Sequence, residues 1–191
     1  ETAMVISDAK TGDLLALTGS QSSQSQFNRA LLARRQIGSL IKPLVFLAGL
    51  ERLAGFDLES NLQDKPLRIS TQDGSAWQPK NWDQQSRGNI TAREALVHSR
   101  NQATVDLGMR LGLENLMDFL ESLGLNINRA QHPSLFLGAI ELTPFDVQHL
   151  YALFSSAGQV QKINAIRSVS DAENRLLSRS KTSASHRVSQ Q

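Results

Sequence analysis

Apolar and polar positions change their period several times along this chain, and each change marks an element. Ala3-Met4-Val5-Ile6-Ser7-Asp8 and Leu14-Leu15-Ala16-Leu17-Thr18 are short apolar runs separated by Lys10-Thr11-Gly12, the pattern of two strands joined by a turn. Gly19 to Gln26 is polar and rich in breakers, so it reads as a loop. From Leu40 to Ala54 the sequence is apolar nearly all round, with Ile41, Leu44, Val45, Phe46, Leu47, Leu50 and Leu53. Such a helix belongs at the centre of a core. Pro43 fits its first turn, where no backbone N–H is needed, and Gly55 marks its end.

Gly55 to Gly88 has no period, but Trp77-Gln78-Pro79-Lys80-Asn81-Trp82-Asp83 has the composition of an ordered, packed loop. Thr91 followed by Glu94 is a capping-box arrangement and predicts a short helix to about His98. Further helices are expected at 102–110 and 113–123, ended by Gly112 and Gly124. Thr143-Pro144 opens another, which stops at Gly158. Val160 to Val169 is weakly strand-like, and beyond Arg179 no folded element is expected. The predicted fold class is α+β: a strand pair, then a large helical block. A two-stranded sheet is marginal alone, so more strands than these are expected in the complete sheet.

The chain has 191 residues, enough for one domain or most of one. No run of about eighteen apolar residues is present to span a bilayer, and Glu1 leads directly into the strand pattern, without a signal peptide. The expectation is a piece of something longer. Cysteine is absent, and the four histidines at 98, 132, 149 and 186 match no metal-ligand spacing; no metal and no cofactor is expected. The net charge of +2 comes from the C-terminal stretch, where Arg175, Arg179, Lys181 and Arg187 meet no acidic residue after Asn174. The rest is mildly acidic, which argues against nucleic acid as a partner.

Candidate chemistry begins at Gly38-Ser39-Leu40-Ile41-Lys42-Pro43. Residues three apart share a helix face, with Cβ atoms about 5–6 Å apart, so the Lys42 amine can reach the Ser39 hydroxyl. An ordinary lysine has a pKa of about 10.4, but apolar neighbours disfavour its charged form and make it a base for serine. The plainer alternative has Ser39 capping the helix while Lys42 extends to solvent. A second element is Ser99-Arg100-Asn101, between two helices. There a hydroxyl could relay a proton and an amide could hold the lysine or a substrate carbonyl; alternatively, Asn101 simply caps the following helix.

Together, S-x-x-K and S-x-N resemble the serine penicillin-recognising enzymes, whose third mark is K-T-G. More narrowly, the chain resembles the transpeptidase domain of bifunctional class A penicillin-binding proteins, of the type 1b enzymes of Gram-negative bacteria. Asn28-Arg29-Ala30, Ala33 to Ser39, Lys42-Pro43, Trp77 to Asp83, Ala95 to Asn101, Leu107-Gly108, Leu137-Gly138-Ala139 and Leu142-Thr143-Pro144 carry this resemblance in order. It implies a serine β-lactamase/penicillin-binding transpeptidase-like fold, with a central antiparallel sheet and a large helical subdomain, incomplete in this chain. Residues 1–179 are then a partial transpeptidase domain and 180–191 an unstructured basic tail.

The resemblance further implies that Ser39 attacks a D-alanyl-D-alanine stem peptide of peptidoglycan and is acylated by β-lactams. Lys42 activates it, Ser99 and Asn101 complete the proton path, and the Ser39 N–H forms half of an oxyanion hole. Asn81, in a loop that approaches the cleft, is a further substrate-binding candidate. The implied parent has an upstream glycosyltransferase domain and a membrane anchor, on the periplasmic side of the bacterial inner membrane. Lys181-Thr182-Ser183 is not accepted as K-T-G, because Ser183 lacks the glycine that permits close approach. The fragment is therefore expected to acylate poorly, and a second chain supplying the rest of the domain is a further expected partner. A β-lactamase or D,D-carboxypeptidase of the same superfamily, and a non-catalytic cell-wall scaffold, are the alternatives.

Overall fold

The computed structural model describes residues 2–22, 26–70, 74–127, 132–180 and 184–187, with the backbone alone at 161 and 184–187. The chain begins with β1 (Met4–Ser7), β2 (Leu14–Thr18), α1 (Arg29–Leu32) and β3 (Arg35–Gln36). A 3-10 turn at Gly38–Ile41 runs into α2 (Lys42–Arg52), followed by β4 (Asn61–Asp64), β5 (Ile69–Ser70), β6 (Ala76–Trp77) and β7 (Gly88–Thr91). Then come α3 (Ala92–Val97), α4 (Asn101–Leu111), α5 (Leu113–Ser122), a 3-10 turn at Pro133–Leu137 and β8 (Glu141–Leu142). The chain continues with α6 (Pro144–Ser155), β9 (Gln159–Gln161), β10 (Ser168–Ser170), β11 (Leu176–Arg179) and β12 (Ala184–Arg187). It divides into two compact units, one of residues 1–35 with 141–191, the other of residues 36–140.

In the first unit β1 and β2 form the expected antiparallel hairpin, closed by a turn in which the Asp8 carboxylate accepts the N–H groups of Lys10 and Thr11. Thr143 caps α6 through a reciprocal capping box with Asp146, and Pro144 occupies the first turn. β10 pairs with β11, and β9 with β12, both antiparallel. The strand at Ala184–Arg187 corrects the expectation that 180–191 forms no element. The Ser-rich composition carries no strand signal of its own, and the pairing with β9 (Gln159–Gln161) supplies the order. Lys181-Thr182-Ser183 lies outside the described residues.

The second unit is the helical block. Leu44, Val45, Phe46 and Ala48 of α2 are fully buried, as are Ala103, Val105 and Leu107 of α4 and Leu116, Met117, Phe119 and Leu120 of α5. α2 is therefore covered on nearly all sides, as its pattern required. Gly112, at φ +86°, ends α4 and opens α5 in one residue. Gly108 lets α4 meet the Phe136 ring, since a Cβ there would lie 2.3 Å from it. α3 carries the predicted capping box between Thr91 and Glu94 and ends at His98. β4 pairs with β7 antiparallel, and the inward alternation of β4 places both Leu62 and Asp64 in the interior. That buried carboxylate, unremarkable in the sequence, organises the back of the site.

Candidate active site

Ser39 and Lys42 lie in the second unit, where the 3-10 turn becomes α2. The tighter turn matters: with about three residues per turn, side chains three apart eclipse one another. Ser39 is exposed, whereas Lys42 is 2% exposed. The turn is held by Gly38 N–H donating to the Gly138 carbonyl at 3.2 Å and Ile37 N–H donating to the Ile140 carbonyl at 3.1 Å. Gly138, at φ +83°, is a close-approach glycine: a Cβ on it would stand 2.1 Å from the Gly38 carbonyl oxygen. This explains why Leu137-Gly138-Ala139 and the glycine before Ser39 go together.

The Lys42 amine does not extend to solvent. Its Nζ donates to the Ser99 carbonyl at 2.6 Å, to Ser99 Oγ at 2.9 Å and to Asn101 Oδ1 at 2.6 Å. Three acceptors match the three protons of an ammonium; the Ser39 hydroxyl, expected as a partner, is not among them. Burial first, and the Arg100 cation second, push the Lys42 pKa down to about 8. Ser99 presents both its oxygens because its backbone is left-handed, with φ +51°.

Asn101 is not the cap of α4. Arg100 occupies that position and Asn101 begins the helix, with its side chain turned from the helix end toward Lys42. Its Nδ2 donates to the Lys80 carbonyl at 2.8 Å, which orients the amide so that its oxygen faces the ammonium.

Asn81, a substrate-binding candidate by resemblance, lies inside the protein. It is 2% exposed, and both ends of its amide bond to groups of the protein. Its Oδ1 accepts the N–H groups of Asn101 (2.8 Å) and Gln102 (3.2 Å). Its Nδ2 donates to Asp64 Oδ1 (2.8 Å), the Gln85 carbonyl (2.8 Å) and Gln102 Oε1 (3.1 Å). Asn81 thus ties the 79–87 loop to the start of α4. Trp77 packs edge-on against His132 at 5.4 Å, whereas Trp82 is 82% exposed.

The residue missed from sequence is Arg100, 1% exposed. It ion-pairs with Asp64 at 2.9 Å and with Asp83 at 2.7 Å. Burial opposes its charge, but the hydrogen bonds to Asp83 and Asp64 outweigh this and raise its pKa above the ordinary arginine value. The same contact to Arg100, ahead of the Gln85 N–H, draws the Asp83 pKa below the carboxylate norm. A signal for this was present: Arg100 is in phase with Thr104, Leu107 and Leu111, which are all buried on α4. Among the described residues no group of three or more His, Cys, Asp or Glu side chains could hold a metal ion.

An exposed serine three positions before a buried lysine, which a second serine and an asparagine hold, has the groups that serine acyl transfer needs. The fold is that of penicillin-binding transpeptidase domains. The crystal structure of penicillin-binding protein 1A from Haemophilus influenzae is similar with a TM-score of 0.85 at 30% identity, over 96% of this chain and 27% of that one. Penicillin-binding protein A from Mycobacterium tuberculosis, solved as an imipenem acyl-enzyme complex, is similar in fold with a TM-score of 0.81 at 22% identity, over 98% of this chain and 53% of that one.

Residues 2–191 match the family described as the penicillin binding protein transpeptidase domain, and the chain belongs to that family. Penicillin-binding protein 1B of Vibrio cholerae is 39% identical over 193 aligned residues, covering 100% of this chain and 25% of that protein. The chain spans about a quarter of the length of the curated relatives it matches. Among the described residues no helix is long and apolar enough to cross a membrane.

Proposed function

We propose that this chain carries the nucleophile half of a peptidoglycan D,D-transpeptidase site. Ser39 is the nucleophile, Lys42 its base, and Ser99 and Asn101 the groups that hold the lysine and pass on its proton. The observation that carries the reading is the Lys42 amine, buried three positions after an exposed serine and drawn to three oxygens of the Ser99–Asn101 connection.

In the first step the uncharged Lys42 amine takes the Ser39 proton as Oγ bonds to the carbonyl carbon of the penultimate D-alanine of a stem peptide. The developing oxyanion lies near the Ser39 N–H. Collapse breaks the peptide C–N bond, and the leaving terminal D-alanine takes a proton from Lys42 through the Ser99 hydroxyl. In the second step an acceptor amine of another stem peptide attacks the ester carbonyl, giving up a proton through the Ser99 hydroxyl to Lys42, and collapse breaks the ester C–O bond as Lys42 returns that proton to the Ser39 Oγ. A β-lactam enters the first step alike: its ring amide C–N bond breaks, and the nitrogen stays attached to the acyl group. Dividing the transfer into two steps lowers each barrier.

Ser99 suits the relay because a hydroxyl both accepts and donates, and it already lies 2.9 Å from Nζ. The natural setting proposed for the chain is the periplasmic side of a bacterial inner membrane, as part of a longer bifunctional penicillin-binding protein.

The test is labelling with fluorescent penicillin followed by peptide mass spectrometry, in the full natural chain that contains these residues. One acyl group on Ser39, lost in Ser39→Ala, is the expected result. Labelling at another residue, or none in the wild type, refutes the reading.

A further inference from the structure

Arg100 has no part in the chemistry above, yet it heads the fully buried side chains of the described residues by volume. Charge is expensive to bury, so its neighbours explain why it is tolerated. Its Nε donates to Asp64 Oδ2 at 2.9 Å, its Nη1 to Asp83 Oδ2 at 2.7 Å, and its Nη2 to the Gln85 carbonyl. Asp64 is in turn fixed by Asn81 Nδ2 at 2.8 Å and by the Arg87 N–H at 3.0 Å. Three segments, β4, the 79–87 loop and the start of α4, therefore converge on one guanidinium.

The two residues flanking Arg100 are the ones that hold Lys42. Ser99 stands at φ +51°, a left-handed conformation uncommon for a residue with a Cβ, which persists only where surroundings enforce it. Arg100 N–H donates to the Ala95 carbonyl at 2.9 Å, and its own carbonyl accepts the Thr104 N–H at 3.1 Å and the Thr104 hydroxyl at 2.7 Å. Backbone and side chain of Arg100 are thus both pinned, and the left-handed turn is pinned with them.

We infer that Arg100 is a positioning residue for Lys42: clamped by Asp64 and Asp83, it holds Ser99 and Asn101 in the one backbone arrangement that turns their three oxygens onto a single amine.

The inference rests on the acyl-transfer reading for its kinetic consequence, though not for its geometry. The planar fork of arginine is what meets two carboxylates and a carbonyl at once; a lysine ammonium has no such fork. Arg100 also places a cation behind Lys42 and lowers its pKa, after burial. The charges about the amine are Arg100 on the Ser99–Asn101 connection, with Asp64 of β4 and Asp83 of the 79–87 loop paired to it on the far side. Lys80 and His98 flank these segments with exposed side chains.

The experiment uses the full natural chain with three changes. Arg100→Lys keeps the charge and loses the fork. Arg100→Met combined with Asp64→Asn removes the cation without leaving an unpaired buried carboxylate. Asp83→Asn, at a side chain 20% exposed, loosens one limb of the clamp and spares the interior. Stopped-flow penicillin acylation separates prior binding from the acylation rate constant, and competitive acetylation with mass spectrometry reads the protonation midpoint of Lys42 without turnover.

Arg100→Lys is expected to lower the acylation rate constant roughly 10- to 100-fold with prior binding within about twofold, and Asp83→Asn to lower it a few-fold. The double variant is expected to raise the Lys42 midpoint, since the cation that lowers it is lost. Folded variants that acylate at the wild-type rate with an unmoved midpoint reduce Arg100 to a structural residue and overturn the inference. If the wild type leaves Ser39 unlabelled, the acyl-transfer reading fails by itself. The midpoint then judges Arg100 alone, and one unmoved in every folded variant overturns positioning.

Discussion

On one side of the Ser99–Asn101 connection a lysine offers its protons to three oxygens, and on the other an arginine does the same. Lys42 meets a carbonyl, a hydroxyl and an amide, all uncharged; Arg100 meets two carboxylates and a carbonyl. The consequence is opposite pKa directions for two buried cations whose residues are close neighbours. Lys42, desolvated by burial and paired with no carboxylate among the described residues, falls to about 8, while Arg100 rises above its ordinary value. A cation given only neutral acceptors is free to lose its proton near neutral pH, and a cation given carboxylates is not. The first is what a base requires and the second what a fixed frame requires. The connection serves as one wall with a titrating face and a locked face.

The largest effect is expected from removing the titrating face. Lys42→Met keeps the volume in the interior but leaves Ser39 without a base, and acylation by penicillin should fall about 10³-fold. Stopped-flow fluorescence of labelled penicillin measures this. A drop of less than about tenfold would mean that Lys42 belongs with Arg100 as a structural cation, and the contrast would dissolve.

Next is the locked face. Asn81→Leu strips the amide that serves Asp64, Gln85, Asn101 and Gln102 together. Two backbone N–H groups and a buried carboxylate lose partners, so a loss of about 3 kcal/mol is expected in urea denaturation. Acylation of the folded fraction should slow as well, because the start of α4 is released. Unchanged stability would show that the frame does not depend on Asn81.

This division explains what the sequence could disclose. At the front, the apolar run 40–54 foretold burial of the Lys42 amine, whereas the Ser39 hydroxyl expected from the S-x-x-K spacing is not among the partners of that amine. The helices were legible, since capping at Thr91 and Thr143 and termination at Gly112 are short-range events. The back was not, because Arg100 meets its carboxylates 36 and 17 residues away. Only its phase with Leu107 and Leu111, and the alternation of Leu62 with Asp64, hinted at burial. Resemblance placed the Asn81 loop near the cleft, but the partners of its amide lie far apart in sequence and were not legible. The strand at Ala184–Arg187 was hidden for a further reason: its order comes from pairing, not from its own side chains.

A smaller effect sharpens the titrating face alone. If Lys42 acts uncharged, acylation should rise with pH through a midpoint at about 8, changing about tenfold per unit well below it. Protonation removes the base, so the low-pH side is the slow one. Arg100 and Asp83 should add no second step within the neutral range, since their shifts carry them away from it. A pH-independent rate between about 6 and 9 would contradict the assignment of Lys42 as base.

The smallest effect serves as the control for both faces. Thr91 caps α3, accepting the Glu94 N–H at 3.1 Å while the Glu94 carboxylate accepts the Thr91 N–H at 3.1 Å. The helix it starts leads to Ser99, so a site sensitive to any loosening of the block would register the loss of this cap. Thr91→Ala should cost about 1 kcal/mol in thermal or urea unfolding. The acylation rate and its pH midpoint should not move, because Ser99 is set by the Arg100 clamp and not by the far end of α3. A cap variant that slows acylation as strongly as Arg100→Lys would mean that the left-handed turn is held by the whole helix, and that the guanidinium has no special hold on it.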